Sequence, residues 1–306
     1  MRAVRLLAVL AAVLTTALIV LGAAVRATNS GLSCPDWPTC YGHWLPLPGD
    51  IPPDSGYAYY QVMLEWVHRL LAGVVIGPLV LVLAVMAWRQ RGEAPELAGG
   101  AGALVALLLV QAGLGGITVL DRNSPSSVAL HLAAALLVLT MVLFLSVRTR
   151  STAVQPTTRL AVLAWSAWLV AFLAMVSAAT VAKMGASFAC STWPDCDGRW
   201  LPDLSDPQVR AHMTHRGLAA LAVLATLGLF LGSRKLGGPV RGLASGALVL
   251  MLLAAGLGGH GVGSGWPVWT AILHQALAVL TFVHLALASW HASLRPGPAT
   301  TREPAR

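Results

Sequence analysis

Long runs of apolar residues alternate with short polar stretches along this chain. The runs 70–88 and 160–182 carry no charged residue. About 20 apolar residues cross a bilayer as a helix, and a helix satisfies every backbone amide within its own segment, as lipid requires. The pattern therefore predicts an all-α membrane protein, with a bend at Pro78 in its second helix. Eight transmembrane helices are predicted, at residues 6–25, 61–87, 101–120, 128–147, 160–182, 213–232, 243–260 and 268–290.

The composition and the charge distribution agree with a chain that lies in lipid. Of its 306 residues, 57% are hydrophobic and only 10% are charged, against about 25% charged in a soluble domain. Most of the basic residues behind the net charge of +8 lie on the same side of the membrane as the N-terminus, which is the positive-inside pattern. We therefore expect both termini in the cytoplasm and the long polar loops, 26–60 and 183–212, outside. The chain has no basic, aromatic-rich tail that would suit nucleic acid.

The first 25 residues begin with basic residues and an apolar run, as a secretory signal peptide does. Their apolar run is longer than the apolar region of a signal peptide, and residues 160–182 occupy the corresponding place before the second long loop. We interpret the segment as the first transmembrane helix. It lacks the Arg- and Ser-rich character of an organelle transit peptide, so a bacterial plasma membrane is expected.

One sequence phrase occurs twice, once in each long loop. Residues 33–46 read SCPDWPTCYGHWLP, and residues 189–202 read ACSTWPDCDGRWLP. Three further matches follow in the same order: EWVHRLLAG with HMTHRGLAA, QAGLGG with AAGLGG, and HLAAALLVLT with HQALAVLT. A repeat of this size indicates two similar halves, 1–150 and 151–306, joined through 148–159. Because each half starts in the cytoplasm and has four helices, we predict two pseudo-symmetric, parallel four-helix bundles.

Each copy of the phrase contains two cysteines with five residues between them: Cys34 and Cys40, and Cys190 and Cys196. Outward-facing loops lie in an oxidising compartment, so two local disulfides are expected. Two alternatives stay open at this point. A strained disulfide in so small a loop would be redox-active, and zinc would use the first pair with His43 as a third ligand, although the second copy has Arg199 there.

Four histidines occupy repeat-matched positions near the outer ends of the even-numbered helices: His68, His131, His215 and His274. The second and fourth helices of a half can face each other across a four-helix bundle. Two imidazoles at one depth in such a bundle are suited to holding a haem iron from both sides. A single intramembrane histidine is often only a hydrogen-bonding residue, but four in matched positions favour one haem site per half.

The two halves differ beside these histidines. Glu65 precedes His68 by three residues and shares its helix face, whereas the matching residue of the second half is His212. A carboxylate in this place can move protons or stabilise positive charge, so we predict a catalytic role for Glu65. The alternative is that Glu65 is an interface residue bonded to Arg69 or to a loop amide.

Four other polar residues near the predicted sites receive weaker interpretations. Arg69 and Arg216 each follow a candidate ligand directly and would either meet haem propionates or reach the outer surface. His284 lies deeper in the last helix, off the face of His274, and is interpreted as a polar packing residue. His260 has no repeat partner, and the sequence assigns it no role.

Taken together, these motifs resemble the haem A synthase family over essentially the whole chain. The resemblance rests on the NSGLSCPDWPTCYGHWLP stretch beginning at Asn29, the Glu-x-x-His-Arg motif at 65–69, His131, the His-Arg pair at 215–216, and His274. It implies that the protein oxidises the C8 methyl of haem o to a formyl group by successive hydroxylations, giving haem a for terminal oxidases.

The resemblance also implies roles for the individual residues and partners. By that likeness His68 and His131 would bind the substrate haem o, and His215 and His274 would bind a resident haem b. Besides haem o and membrane lipid, the implied partners are a haem o synthase (a farnesyltransferase) and a quinol or other electron carrier. Two rival functions are a non-catalytic di-haem b, quinol-linked electron-transfer protein and a membrane thiol oxidoreductase that uses the cysteine loops.

Overall fold

The structure, a computed structural model, describes residues 1–154, 158–234 and 238–296. A π-helical turn joins the helices Tyr59–Leu70 and Gly77–Arg89, so they form one span. Eight helices in the described ranges are then long and apolar enough to cross a membrane, which confirms the predicted all-α membrane fold. The helices are α1 (Arg2–Ala27), α2 (Tyr59–Leu70), α3 (Gly77–Arg89), α4 (Pro95–Leu120), α5 (Pro125–Arg148), α6 (Arg159–Lys183), α7 (Pro207–Ser233), α8 (Pro239–Ser264) and α9 (Val268–Ser293).

Several helices start earlier than the apolar pattern predicts. α4 begins at Pro95 and α7 at Pro207. Proline suits the first turn of a helix, because an N–H there would have no helical partner. The Asp206 carboxylate caps α7 by accepting a hydrogen bond from the Gln208 N–H at 2.7 Å. Such polar first turns lie outside the apolar periodicity, so the sequence pattern places these starts too late.

The second span is irregular in its middle. The π-helical turn Leu71–Ile76 separates α2 from α3, and the Gly77 N–H bonds to the carbonyl of Ala72, five residues back. Pro78, the next residue, has no N–H to donate, and wider turns of this kind often replace a regular turn where the helical ladder is interrupted. The structure thus shows a π-helical turn just before Pro78, where the sequence predicts a bend.

Helix packing follows the order of the repeat. In the first half α1 contacts α2, α3 and α5, while α4 packs between α3 and α5. In the second half α6 contacts α7 and α9, while α8 packs between α7 and α9. Contacts of α1 with α9, and of α5 with α6 and α9, join the halves. Two four-helix halves require contacts of this kind; the symmetry relation between them stays a prediction.

Aromatic side chains fill part of the interface between the halves. The Phe144 and Trp290 rings lie 4.7 Å apart, as do those of Trp165 and Trp290, and the Trp290 indole donates to the Thr140 carbonyl at 3.0 Å. Because a buried indole N–H needs an acceptor, this bond ties α9 to α5. The connection between the halves and the end of α9 also pair as short antiparallel strands, β1 (Ser151–Val154) and β2 (Leu294–Pro296), which the helical pattern does not predict.

Candidate functional site

The cysteines of each long loop form a disulfide within that loop. The S–S distance is 2.03 Å between Cys34 and Cys40 and 2.08 Å between Cys190 and Cys196. Each sulfur is therefore bonded to the other cysteine sulfur of its own loop, and none of the four is a thiolate. The described ranges also contain no group of three or more His, Cys, Asp and Glu side chains that would suit a metal ion, so the zinc alternative has no support.

A tight turn follows each disulfide and was not expected from the sequence. The turn residues have positive φ in both loops, +54° and +76° at Tyr41 and Gly42, and +54° and +81° at Asp197 and Gly198. The residues on either side exchange backbone hydrogen bonds of 3.0–3.1 Å, as in a two-residue hairpin of the primed type. The Asp-Gly pair in the second loop is the sequence signal that identifies such a turn.

A carboxylate stabilises the turn in each loop. Asp36 accepts hydrogen bonds from the N–H groups of Tyr41 at 2.6 Å and Gly42 at 3.0 Å, and from the Thr39 hydroxyl. Burial alone would raise the pKa of Asp36, but these hydrogen bonds outweigh it and hold the pKa below its usual 3.8. In the second loop the Asp197 carboxylate accepts from the hydroxyl and N–H of Ser191, which lowers the pKa of Asp197.

A tryptophan of each loop packs on a glycine of the third membrane span in its half, which is α4 in the first half and α8 in the second. A methyl group at Gly116 would lie 3.8 Å from the Trp37 ring, and one at Gly259 would lie 2.9 Å from the Trp193 ring. These glycines match each other in the repeat, as do the tryptophans. The disulfide loops therefore pack against α4 and α8, the helices that precede those of His131 and His274 in the chain.

The structure brings His68 and His131 together inside the first half. His68 on α2 faces α1, where a methyl group at Gly22 would lie 3.2 Å from the His68 Nε2. His131 on α5 faces α4, where its Nε2 lies 3.3 Å from the Gln111 Nε2 and a methyl group at Gly115 would lie 3.3 Å from its Cε1. The two imidazoles are near enough to interact electrostatically, as the predicted pair requires.

His215 and His274 form the corresponding pair in the second half. The Nδ1 of His215 lies 3.0 Å from the Ala174 carbonyl and 3.2 Å from the Ser177 hydroxyl. The Nδ1 of His274 lies 2.9 Å from the Ala254 carbonyl, and the two rings interact electrostatically. A carbonyl acceptor assigns the proton to Nδ1 and leaves the Nε2 lone pair free, which is how iron-ligating histidines are oriented.

These donor sets suit haem, because each pair offers two imidazoles from different helices of one half, and three of the four rings pack directly on a glycine. A methyl group at Gly258 would lie 3.2 Å from the His274 Cε1, so a larger residue would press on that ring. Trp266 meets the same ring edge-on, with 5.7 Å between the ring centroids. The second half therefore presents two oriented imidazoles, as a bis-histidine haem site needs.

Glu65 is buried and bonded to both the disulfide loop and its own helix. Its Oε1 accepts from Arg69 Nη2 at 2.6 Å, and its Oε2 accepts from the Cys34 N–H at 2.9 Å and the Ser33 hydroxyl at 3.1 Å. These are the contacts of the interface alternative. They also place an ion-paired carboxylate one turn from His68, where a catalytic group is predicted. Both roles are compatible with these contacts, and the catalytic role stays a prediction.

The arginine after each first histidine reaches the disulfide loop. Arg69 donates to the carbonyls of Asp36 at 2.5 Å, Thr39 at 2.9 Å and Cys34 at 3.0 Å. Arg216 donates only through Nη1, to loop carbonyls that include Pro194 at 3.3 Å. Its Nε and Nη2 are buried without a partner in the described part of the chain. Arg69 thus donates hydrogen bonds from both of its terminal nitrogens, whereas Arg216 donates from one of them.

The remaining histidines lie apart from these two pairs. His43 Nε2 lies 3.6 Å from the Asp50 carboxylate in the first loop. His284 bonds to the Leu280 carbonyl of its own helix at 2.8 Å and packs on Gly246 of α8, contacts that suit a polar packing residue. His260 stacks near Trp269 with 5.5 Å between the rings. His284 and His291 share α9 with His274, and His212, which is buried and whose Nδ1 has no partner in the described part of the chain, shares α7 with His215.

The chain is similar to characterised families along most of its length. The profile of a family described as "Cytochrome oxidase assembly protein" matches residues 5–286. Three relatives carry the name "Heme A synthase": one from Shouchella clausii, 30% identical over 88% of this chain and 86% of the relative; one from Shewanella oneidensis, 27% identical over 92% and 95%; and one from Methylobacterium radiotolerans, 28% identical over 96% and 90%. The chain therefore belongs to the haem A synthase family of cytochrome oxidase assembly proteins.

Proposed function

We propose that this protein is a haem A synthase, an oxidoreductase that converts the C8 methyl of haem o to a formyl group by successive hydroxylations. The observation that carries the proposal is that each half holds two histidines at repeat-matched positions, and that only the first half has a carboxylate, Glu65, on the same helix. A reaction site needs a group that handles protons, whereas an electron-transfer site does not. The names of the relatives support the same activity.

In this proposal the halves 1–150 and 151–306 divide the work. His68 and His131 bind haem o as the substrate, close to Glu65. His215 and His274 would hold haem b, which would supply the electron-transfer chemistry that the oxidation requires. The backbone acceptors at Nδ1 of these two histidines fix the tautomer and the ring orientation, which leaves the Nε2 lone pair available to a metal.

Glu65 acts as the catalytic acid–base group of the first site. A carboxylate buried in a membrane span is costly unless it is paired, and Arg69 supplies the opposite charge at 2.6 Å. The hydrogen bonds from Cys34 and Ser33 fix its position. A proton taken from the substrate side can leave toward the disulfide loop, which covers the outer end of the same helix.

The protein would work in the bacterial plasma membrane, with both termini in the cytoplasm and the disulfide loops outside. The positive-inside pattern supports this orientation, and disulfides suit an oxidising side. Both histidine pairs then lie near the outer surface. Haem o would come from a haem o synthase, a farnesyltransferase, and a quinol or other electron carrier would exchange electrons with the protein.

The rival di-haem b electron carrier is less favoured for two reasons. It does not need the carboxylate of the first half, and it does not account for the name that the relatives share. A visible spectrum combined with pigment extraction separates the two functions. In cells that make haem o, the purified protein should contain haem b and yield formyl-bearing haem a, and His68→Ala should keep haem b while haem a disappears. Two permanent haems b and no haem a would refute the proposed function in favour of the carrier.

A further inference from the structure

Three buried or half-buried residues around His274 carry a hydrogen-bond donor that has no acceptor in the described part of the chain. Gln275, the next residue, is 6% exposed and its Nε2 has no partner in the described part of the chain. The Thr270 hydroxyl, one helical turn before His274, is fully buried and equally unpaired, and so is the Trp266 indole N–H. Buried polar groups are normally hydrogen-bonded, so several orphaned donors at one place indicate an acceptor that the protein does not supply.

A cation of the other half reaches the same place. Arg26, in the last turn of α1, donates from Nη2 to the Gln275 Oε1 at 3.3 Å, and it lies within electrostatic range of His274 and of Lys183. Across the residues described, no carboxylate comes within 4.0 Å of either cation. Unpaired charges in membrane-spanning helices are costly and commonly mark a binding site.

The first half has no equivalent of this cluster. In the repeat, Arg26 matches Ala182 and Gln275 matches Leu132. The position of Thr270 is taken by Ser127, whose hydroxyl donates to the Ser124 carbonyl at 3.1 Å. The position of Trp266 is taken by Asn123, which donates to the Gly31 carbonyl at 2.6 Å. The donors of the first half are thus satisfied by the protein itself.

We propose that Arg26 and Gln275 bind a propionate carboxylate of the porphyrin held by His215 and His274, and that this contact retains the porphyrin permanently. The inference rests on the proposed function and deepens it, since it explains which site keeps its haem. A carboxylate is the acceptor-only group that an arginine and a primary amide can both meet. The first site lacks such a pair, which suits a porphyrin that must leave as product.

The test compares haem retention in full-length variants purified in detergent. Arg26→Gln and Gln275→Leu, which restores the residue type of the first half, should each release haem b to excess apomyoglobin roughly ten- to a hundredfold faster than the wild type, as expected for a lost charge-assisted hydrogen bond. Arg122→Gln removes an exposed arginine at the outer end of the first half and is the matched control, with release within about twofold of the wild type. Unchanged release from both test variants would overturn the proposal.

A second measurement does not depend on how well the variants fold. Haem-depleted wild-type protein is reconstituted with iron protoporphyrin IX or with its dimethyl ester, which cannot present a carboxylate. We expect the ester to bind roughly ten- to a hundredfold more weakly, and Arg26→Gln to narrow that gap. Equal binding of both porphyrins to the wild type would refute the carboxylate contact, and would also indicate that Arg26 meets a lipid headgroup instead. The proposed function fails separately, if the wild type holds no haem b at all.

Discussion

Removal of the Glu65 charge tests whether that residue is catalytic or only holds the disulfide loop in place. The Glu65 and Arg69 side chains are 6% and 13% exposed and meet at 2.6 Å. Breaking a buried ion pair from one side costs about 3–5 kcal/mol, because the other charge stays buried. Arg69 retains three loop carbonyls, which places the expected loss for Glu65→Gln near 3 kcal/mol, at the lower end of that range.

A double variant separates this structural cost from chemistry. In Glu65→Gln with Arg69→Gln no charge is left unpaired and an amide can still donate to the loop, so part of the lost stability should return. Thermal unfolding in detergent measures that recovery, and haem a production from haem o measures activity. If Glu65 transfers protons, the double variant stays inactive even though its stability recovers and its haem b content is unchanged.

Two outcomes would contradict the expectations for Glu65. Haem a production by the double variant at the wild-type rate would remove Glu65 from the chemistry and leave it as a residue that docks the loop. The matched control is Glu96→Gln, which breaks the pair with Arg148 at 3.0 Å where the carboxylate is 41% exposed. Arg148 is itself only 5% exposed, so this pair differs from that of Glu65 mainly in the exposure of the carboxylate, which weakens it by solvent screening. A loss as large as that of Glu65→Gln would show that burial of the carboxylate does not set the magnitude.

Three further predictions concern the second site and the first loop. His215→Ala should abolish the low-spin haem b spectrum, and an unchanged absorption spectrum would exclude this residue as a ligand. Gly258→Ala should lower haem b content severalfold, because its methyl would lie 3.2 Å from the His274 ring, whereas Gly256→Ala, which meets no atom within 4 Å, should not. The lowered pKa of Asp36 contributes stability that is present above its unfolded value of 3.8 and is lost as the pH falls through the lower folded value. Melting curves should therefore show less acid sensitivity in Asp36→Asn than in the wild type, and identical pH profiles would contradict this.

The sequence predicts the eight spans well, because they depend on a periodic signal, whereas the histidine pairs come from the repeat and their role as ligands stays a prediction. Apolar length defines a span, and the repeat aligns His68 with His215 and His131 with His274. Contacts between a helix and a distant loop leave no such signal. The Glu65 bond to the Cys34 N–H joins residues 31 positions apart, and the sequence could only offer it as an alternative to catalysis.

The residues that sequence reasoning missed are mostly polar groups inside apolar segments. Arg26 is a lone charge at the end of the first apolar run, and Gln275 directly follows a candidate ligand. Both facts are visible in the sequence, but only the structure shows that the two side chains meet. The supporting carbonyls of Ala174 and Ala254 leave no trace in the sequence at all, because any residue provides a backbone acceptor.

The duplication does not make the two halves independent. Arg26 belongs to the first half by sequence, yet its hydrogen bond goes to Gln275 beside a ligand of the second half. Deeper in the membrane, Trp290 of the second half donates to the Thr140 carbonyl of the first. Loss of the first half would therefore remove a cation from the second site and leave the Trp290 indole without its acceptor, a cost of about 1–3 kcal/mol if it stays buried. On the proposed assignment, a haem b held in the second half would therefore depend on Arg26 of the half that binds the substrate, which would favour keeping both sites in one chain.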